Sequence, residues 1–202
     1  MSLMYCHPRI YNLTLRILHG RMLSKRYCMI SAEIGNNKSV LDVGCGTGLL
    51  SMSLEPSCTY MGIDLNEKFI EYAVKNGLNV KKGDILDPDN YPKYCDVIVL
   101  SDILHHVTPN HEKLIEICKK RASRVIVCES YNDGGAKNEG FNRLRSSRWY
   151  HNVFGDHDGI NEFEDMKVWN SYTKEDVAAL MKNHGAKRIT PVGSSIIGVI
   201  DT

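Results

Sequence analysis

Residues 40–48, Val40-Leu41-Asp42-Val43-Gly44-Cys45-Gly46-Thr47-Gly48, run a buried-strand pattern straight into glycines at alternate positions. No other segment restricts the fold as much. An apolar strand that breaks into Gly44, Gly46 and Gly48 requires a turn whose backbone takes positive angles and lets a bulky ligand approach the main chain. Leu49-Leu50-Ser51 is expected to open a helix just beyond it, with its first N–H groups facing the same spot. Such a junction predicts an open α/β sheet that holds a nucleotide-like ligand at its edge.

The rest of the chain supports that sheet. From Ser39 onward, short β-rich runs alternate with helical stretches: strand 39–43, helix 48–54, strand 59–64, helix 66–76, strands 79–82 and 95–100, helix 109–121 and strand 123–128. Alternation of this kind predicts parallel strands covered on both faces. A further helix, 173–184, opens on the cap-like Thr173-Lys174-Glu175-Asp176 and stops at Gly185. Strands near 187–192 and 195–201 follow with almost no residues between them, which predicts a hairpin and hence one antiparallel strand. Ahead of the sheet, Ile10, Leu13, Ile17, Met22 and Ile30 are interleaved with Arg9, Arg16, Arg21, Lys25 and Arg26, so residues 1–37 read as a helical extension broken near Gly20. Residues 130–171 do not fit the alternation and read as an insertion into a domain spanning 38–202, with a possible helix over 138–150.

Four acids fall where strands end. Asp42 lies in the first strand, Asp64 closes the second, Asp84 follows the third and Asp102 follows the fourth. In an open α/β sheet, ligands occupy the crevice beyond the carboxyl ends of the strands. For a nucleoside bearing a ribose and an amino-acid tail, Asp64 can accept two ribose hydroxyls. Asp84 can accept an exocyclic amine while the Ile85 amide donates to a ring nitrogen. Leu65, Ile85 and Leu104 are candidates to sandwich the base. Taken singly, each acid reads equally well as a solvated strand end or a helix cap.

The glycine run, together with Gly62-Ile63-Asp64, Gly83-Asp84 and the stretch Asp96-Val97-Ile98-Val99-Leu100-Ser101-Asp102-Ile103-Leu104-His105-His106-Val107, resembles the class I S-adenosylmethionine-dependent methyltransferases. The resemblance covers residues 38–129 most strongly. It implies a three-layer Rossmann-like α/β fold with a seven-stranded, mostly parallel sheet. It also implies S-adenosyl-L-methionine as cofactor, with the 44–48 turn (Gly44, Cys45, Gly46, Gly48) under its methionine portion, Asp64 at the ribose, Asp84 and Ile85 at adenine, and Ser101 and Asp102 beside the sulfonium; Asp42 and Leu65 complete the candidate cofactor-binding residues. A nicotinamide or flavin dinucleotide fits less well, because a GxGxxG run starting at Gly44 needs glycine where Leu49 stands.

Methyl transfer from a sulfonium is an in-line displacement, so orientation is the protein's main contribution, worth roughly 7–11 kcal/mol. A base is needed only for a protonated acceptor. His105 and His106 are the candidates for that task, since imidazole titrates near neutrality; each also reads as an ordinary packing residue. Cys45 reads as a small filler. In the insertion, Phe141-Asn142-Arg143-Leu144-Arg145-Ser146-Ser147-Arg148-Trp149-Tyr150-His151 mixes cations with aromatics. Arg148, Trp149 and Tyr150, with Tyr11 from the extension, are the candidate substrate-binding residues. The same mixture suits RNA, but the acid-rich stretch 155–166 argues against a long nucleic-acid path.

Composition narrows the alternatives. The formal charge of +1 predicts no whole-molecule attraction to nucleic acid or membrane, and 43% hydrophobic content supplies a core. Seven cysteines at irregular spacings, with no CxxC, read as reduced packing residues and argue against a metal site. No apolar run approaches the roughly 18 residues of a membrane span, and no cleavable leader pattern opens the chain, so a cytoplasmic location is expected. The reading is therefore a methyltransferase acting on a small-molecule acceptor. An RNA-modifying enzyme and a non-catalytic cofactor-binding partner protein are the alternatives.

Overall fold

The computed structural model describes residues 3–132, 169 and 171–202. Seven strands form one sheet: β1 (Ser39–Val43), β2 (Thr59–Asp64), β3 (Val80–Lys82), β4 (Cys95–Ser101), β5 (Ala122–Ser130), β6 (Ala186–Val192) and β7 (Ser195–Asp201), in the order β3-β2-β1-β4-β5-β7-β6. Only β7 runs against its neighbours, as the tight hairpin with β6 requires. Strand order reverses between β1 and β4, which pair in parallel. That switch point opens a crevice at the carboxyl edge, where the glycine turn and the strand-end acids meet.

Burial on both faces explains the strand sequences. In β1, Leu41 and Val43 face one core with Ile98, Leu100, Val125 and Val127, while Val40 faces the other with Val97, Val99 and Ile126. The first core is covered by α4 (His111–Lys119) and α5 (Lys174–Asn183), the second by the extension. Helix α5 carries the expected capping box between Thr173 and Asp176, and it lies so close to β7 that a Cβ on Gly198 would meet Met181 Sδ at 2.6 Å. The extension folds as α1 (Pro8–His19) and α2 (Arg21–Ile34), broken at Gly20, with Ile30 and Ile34 of α2 buried on the sheet.

Each element expected between residues 39 and 130 is present, with ends shifted by no more than two residues. One differs in kind. The stretch after the glycine turn is a short 3₁₀ helix, Leu49–Ser53, rather than an α-helix. Its first N–H groups are partly used: Gly48 donates to Cys45 O and Ser51 to Gly48 O. The helix considered for 138–150, and the charged blocks of the insertion, lie outside the described residues. No helix among the described residues is long and apolar enough to cross a membrane.

Candidate active site

A cleft of about 920 Å³ opens at the switch point, within the size range of small-molecule sites, roughly 300–1,000 Å³. Asp42, Gly44, Cys45, Gly46, Asp64, Leu65, Asp84, Ile85, Ser101, Asp102, His105, His106 and Tyr11 all line it. Two expected residues do not. Gly48 takes φ +79° because the turn demands it, and it packs against Leu78, whose Cδ1 would lie 2.4 Å from an added Cβ. Leu104 is fully buried beneath the cleft floor, so it cannot sandwich a base. Arg148, Trp149 and Tyr150 lie outside the described residues.

The glycine turn is fixed from several sides. Gly44 and Cys45 both donate to Ile63 O, and the Gly46 N–H donates to Asp64 Oδ2 at 2.8 Å. Asp64 Oδ1 accepts from Asn66 N at 2.7 Å, so this carboxylate joins the turn to the start of α3 (Glu67–Lys75). Gly44 has φ +73°, and a Cβ there would lie 2.5 Å from the Ile103 side chain. Over Gly46 the Tyr11 ring stands 3.5 Å from where a Cβ would project. Cys45 packs on Gly62, and burial pushes its thiol far above the ordinary range, with Asp42 and Asp64 adding to the effect. A thiol so held is neutral at physiological pH, which supports its reading as filler.

Asp42 is buried and accepts a hydrogen bond from Tyr60 Oη at 2.9 Å. Burial raises its pKa to about 7, against the stabilising Tyr60 bond, with Asp64 adding further repulsion. Between about pH 4 and 7 the unfolded chain ionises this group while the folded chain keeps its proton, so its contribution to stability falls as pH rises through that window and is level above it. Asp42→Asn keeps the acceptor for Tyr60. It should raise Tm at pH 8 and flatten that pH slope in thermal melts; an unchanged slope would show that Asp42 ionises as an exposed acid does.

The two histidines have different surroundings. His105 Nδ1 lies 2.7 Å from Glu129 Oε1, and Glu129 has no solvent exposure. The other carboxylate oxygen, Oε2, accepts from the main-chain N–H of Ile103 at 3.1 Å and of Leu104 at 2.8 Å. His106 instead turns its Nε2 to Tyr5 Oη at 3.4 Å and packs edge-on against the Tyr5 ring. Glu129 is absent from the acids picked out by sequence. Its signal is the same strand-end position, and placing the end of the fifth strand at 128 hides it by one residue.

The extension reaches into the site as well as covering the sheet. Tyr11, Leu15, Arg26 and Tyr27 line the cleft. Thr47 Oγ1 donates to Asn12 Oδ1 at 2.6 Å, and Asn66 Nδ2 donates to Tyr5 O at 3.2 Å. Arg26 is buried and forms an ion pair with Asp102, which sits in the left-handed region at φ +51°. Arg26 was also missed, although its spacing with Leu23 and Ile30 puts it on the buried face of α2.

A family model described as a methyltransferase domain matches residues 34–185, well over half of the chain. The chain belongs to the class I S-adenosylmethionine-dependent methyltransferases. Ubiquinone biosynthesis O-methyltransferase of Pseudomonas fluorescens SBW25 is 34% identical over 89 residues, which is 40% of this chain and 38% of the relative. The aligned part thus spans less than half the length of that curated relative. Among solved structures, a SAM-dependent methyltransferase from Aquifex aeolicus matches with TM-score 0.55 at 18% identity, covering 86% of this chain and 89% of that one. Magnesium protoporphyrin IX methyltransferase from Synechocystis PCC 6803, solved with bound SAH, matches with TM-score 0.60 at 18% identity over 92% and 84%. These structures share the fold.

The family's cofactor is S-adenosylmethionine, and the residues present fit it. Ser101 lines the cleft wall with its hydroxyl beside the Cys128 thiol, a weak partner that leaves the oxygen able to serve a polar ligand atom. The glycine turn presents main chain to the same space, and acids from four strand ends surround it.

Proposed function

We propose that this protein transfers the methyl group of S-adenosylmethionine to a hydroxyl of a small-molecule acceptor, with His105 as the general base. The pairing of His105 with the buried Glu129 at the cleft wall carries this reading. The O-methyltransferase named among the relatives supports a hydroxyl acceptor. Asp42, Gly44, Cys45 and Gly46 border the methionine portion of the cofactor, Asp64 the ribose, Leu65, Asp84 and Ile85 the adenine, and Ser101 and Asp102 the sulfonium end. Tyr11, with Arg148, Trp149 and Tyr150 of the insertion, contacts the acceptor. The bound cofactor supplies a methyl group already activated by the sulfonium charge.

The chain's own task is to orient the acceptor and take its proton. Glu129 accepts from Nδ1–H of His105, which fixes the tautomer and makes Nε2 the proton acceptor. As the acceptor hydroxyl loses its proton to Nε2, the resulting imidazolium is stabilised by the Glu129 carboxylate. His106 holds the Tyr5 segment over the cleft. Tyr5, Tyr11 and Phe69 form an apolar cluster beside it that limits water at the reacting atoms.

Incubation with S-adenosylmethionine and a panel of phenols and catechols, reading S-adenosylhomocysteine by chromatography, tests the reading. A methylated hydroxyl product that disappears in His105→Ala supports it, whereas cofactor binding with no turnover on any hydroxyl acceptor overturns it. Asp64→Ala should weaken S-adenosylhomocysteine binding by about 1.5–3 kcal/mol, the loss expected for a charged hydrogen-bonding partner. Calorimetry on the folded variant checks this.

A further inference from the structure

Helix α1 is apolar on two sides. Tyr11 and Leu15 line the cleft, while Ile10, Leu13 and Ile17 point outward with relative exposures of 44%, 59% and 72%. At i, i+3 and i+7 these three fall within about 60° of one another around the helix. Arg9 and Arg16, both exposed, run along one border of the stripe. Arg21 and Lys25, also exposed, continue the positive charge onto α2. No Asp or Glu occurs in the first 32 residues, against five Lys and Arg, in a chain whose formal net charge is only +1. Among the described residues, Arg26 is the one of those five cations held in an ion pair, with Asp102.

We infer that α1 docks in the interface of an anionic lipid bilayer, with Ile10, Leu13 and Ile17 among the acyl chains and the flanking cations at the headgroups. A helix with an apolar stripe, a cationic border and no acids has the composition of an interfacial helix, which lies on a membrane without spanning it. Three side chains cover too little area for a stable dimer, which needs on the order of 800 Å² from each partner. Pairing two copies face to face would also bring Arg9 and Arg16 of both together with no acid to offset them. RNA is disfavoured because hydrocarbon, rather than cations or stacking rings, occupies the middle of the surface. The opposite face of α1 borders the cleft, so docking puts this helix between the bilayer and the cleft. The inference does not depend on the role given to His105.

Sedimentation of the full chain with sucrose-loaded vesicles tests it, using phosphatidylcholine alone and phosphatidylcholine with about one-third phosphatidylglycerol. The protein should pellet with the anionic vesicles, stay in solution with the neutral ones, and be released by added salt. The double variant Leu13→Glu, Ile17→Glu should lose at least tenfold in vesicle affinity. It should retain its Tm and its affinity for S-adenosylhomocysteine, which separates lost docking from lost fold. The inference is overturned if the wild type stays in solution with anionic vesicles, or if the double variant binds them as well as the wild type does. It is equally overturned if the stripe proves to mediate a concentration-dependent dimer or RNA binding that the same substitutions abolish.

Discussion

Glu129→Gln should lower turnover by about 10²–10⁴-fold while leaving cofactor affinity near that of the wild type. The geometry determines how the amide must sit. Oε2 of Glu129 receives two main-chain N–H groups, from Ile103 and Leu104, so the oxygen of a glutamine is held there. Oε1 receives one longer main-chain contact, from Ser130 N–H at 3.2 Å, so the NH₂ takes that place, facing His105 Nδ1. A donor in that place requires Nδ1 to accept, which moves the ring proton to Nε2 and removes the base. Nitrogen-15 spectra of the histidines should therefore show the His105 tautomer reversed, and no rise in pH should restore the rate. A purely structural Glu129 would instead show a lowered Tm with turnover and pH profile unchanged, whichever tautomer His105 adopts. That result would assign the pair to packing.

Arg26→Met should lower stability by about 2 kcal/mol and loosen the cofactor cleft. Removing one partner of a fully buried pair typically destabilises by roughly 3–5 kcal/mol. The Asp102 side chain keeps 26% exposure, so water offsets part of that loss. The effect is also local to the site. Asp102 holds an unfavourable positive φ, its N–H donates to Cys128 O, and its carboxylate is fixed by Arg26. Without the guanidinium, the Asp102 carboxylate loses the partner that helps hold this strained residue at the loop bordering the cleft. Thermal melts and calorimetry should show Tm and S-adenosylhomocysteine affinity falling together; a fall in Tm alone would confine Arg26 to a structural role.

The parts of this fold that were legible in the sequence are those set by local chemistry. Gly44 and Gly46 announce a positive-φ turn, the alternating β and helical runs announce a covered parallel sheet, and the short gap between β6 and β7 announces the hairpin. Strand-end acids could be read because a carboxylate that follows an apolar run has few roles. What escaped depends on distant partners. Arg26 looks like one cation among several until the fold brings Asp102 to it. Glu129 and His105 are 24 residues apart and meet only because β5 lies beside β4. Gly48 looks like part of the ligand cradle because its spacing matches, yet its conformational freedom serves the turn and its packing on Leu78. Leu104 follows a strand as a base-contacting residue would, but the 3₁₀ turn Leu104–Val107 directs it into the core.

Titration of the wild-type chain with S-adenosylhomocysteine by isothermal calorimetry tests the central claim most directly. The account predicts one site per chain with a dissociation constant well below about 1 mM, an affinity stronger than roughly −4 kcal/mol. Asp64→Ala should weaken that affinity. No measurable heat with S-adenosylhomocysteine at millimolar concentration, alongside clear binding of a nicotinamide dinucleotide, would contradict it.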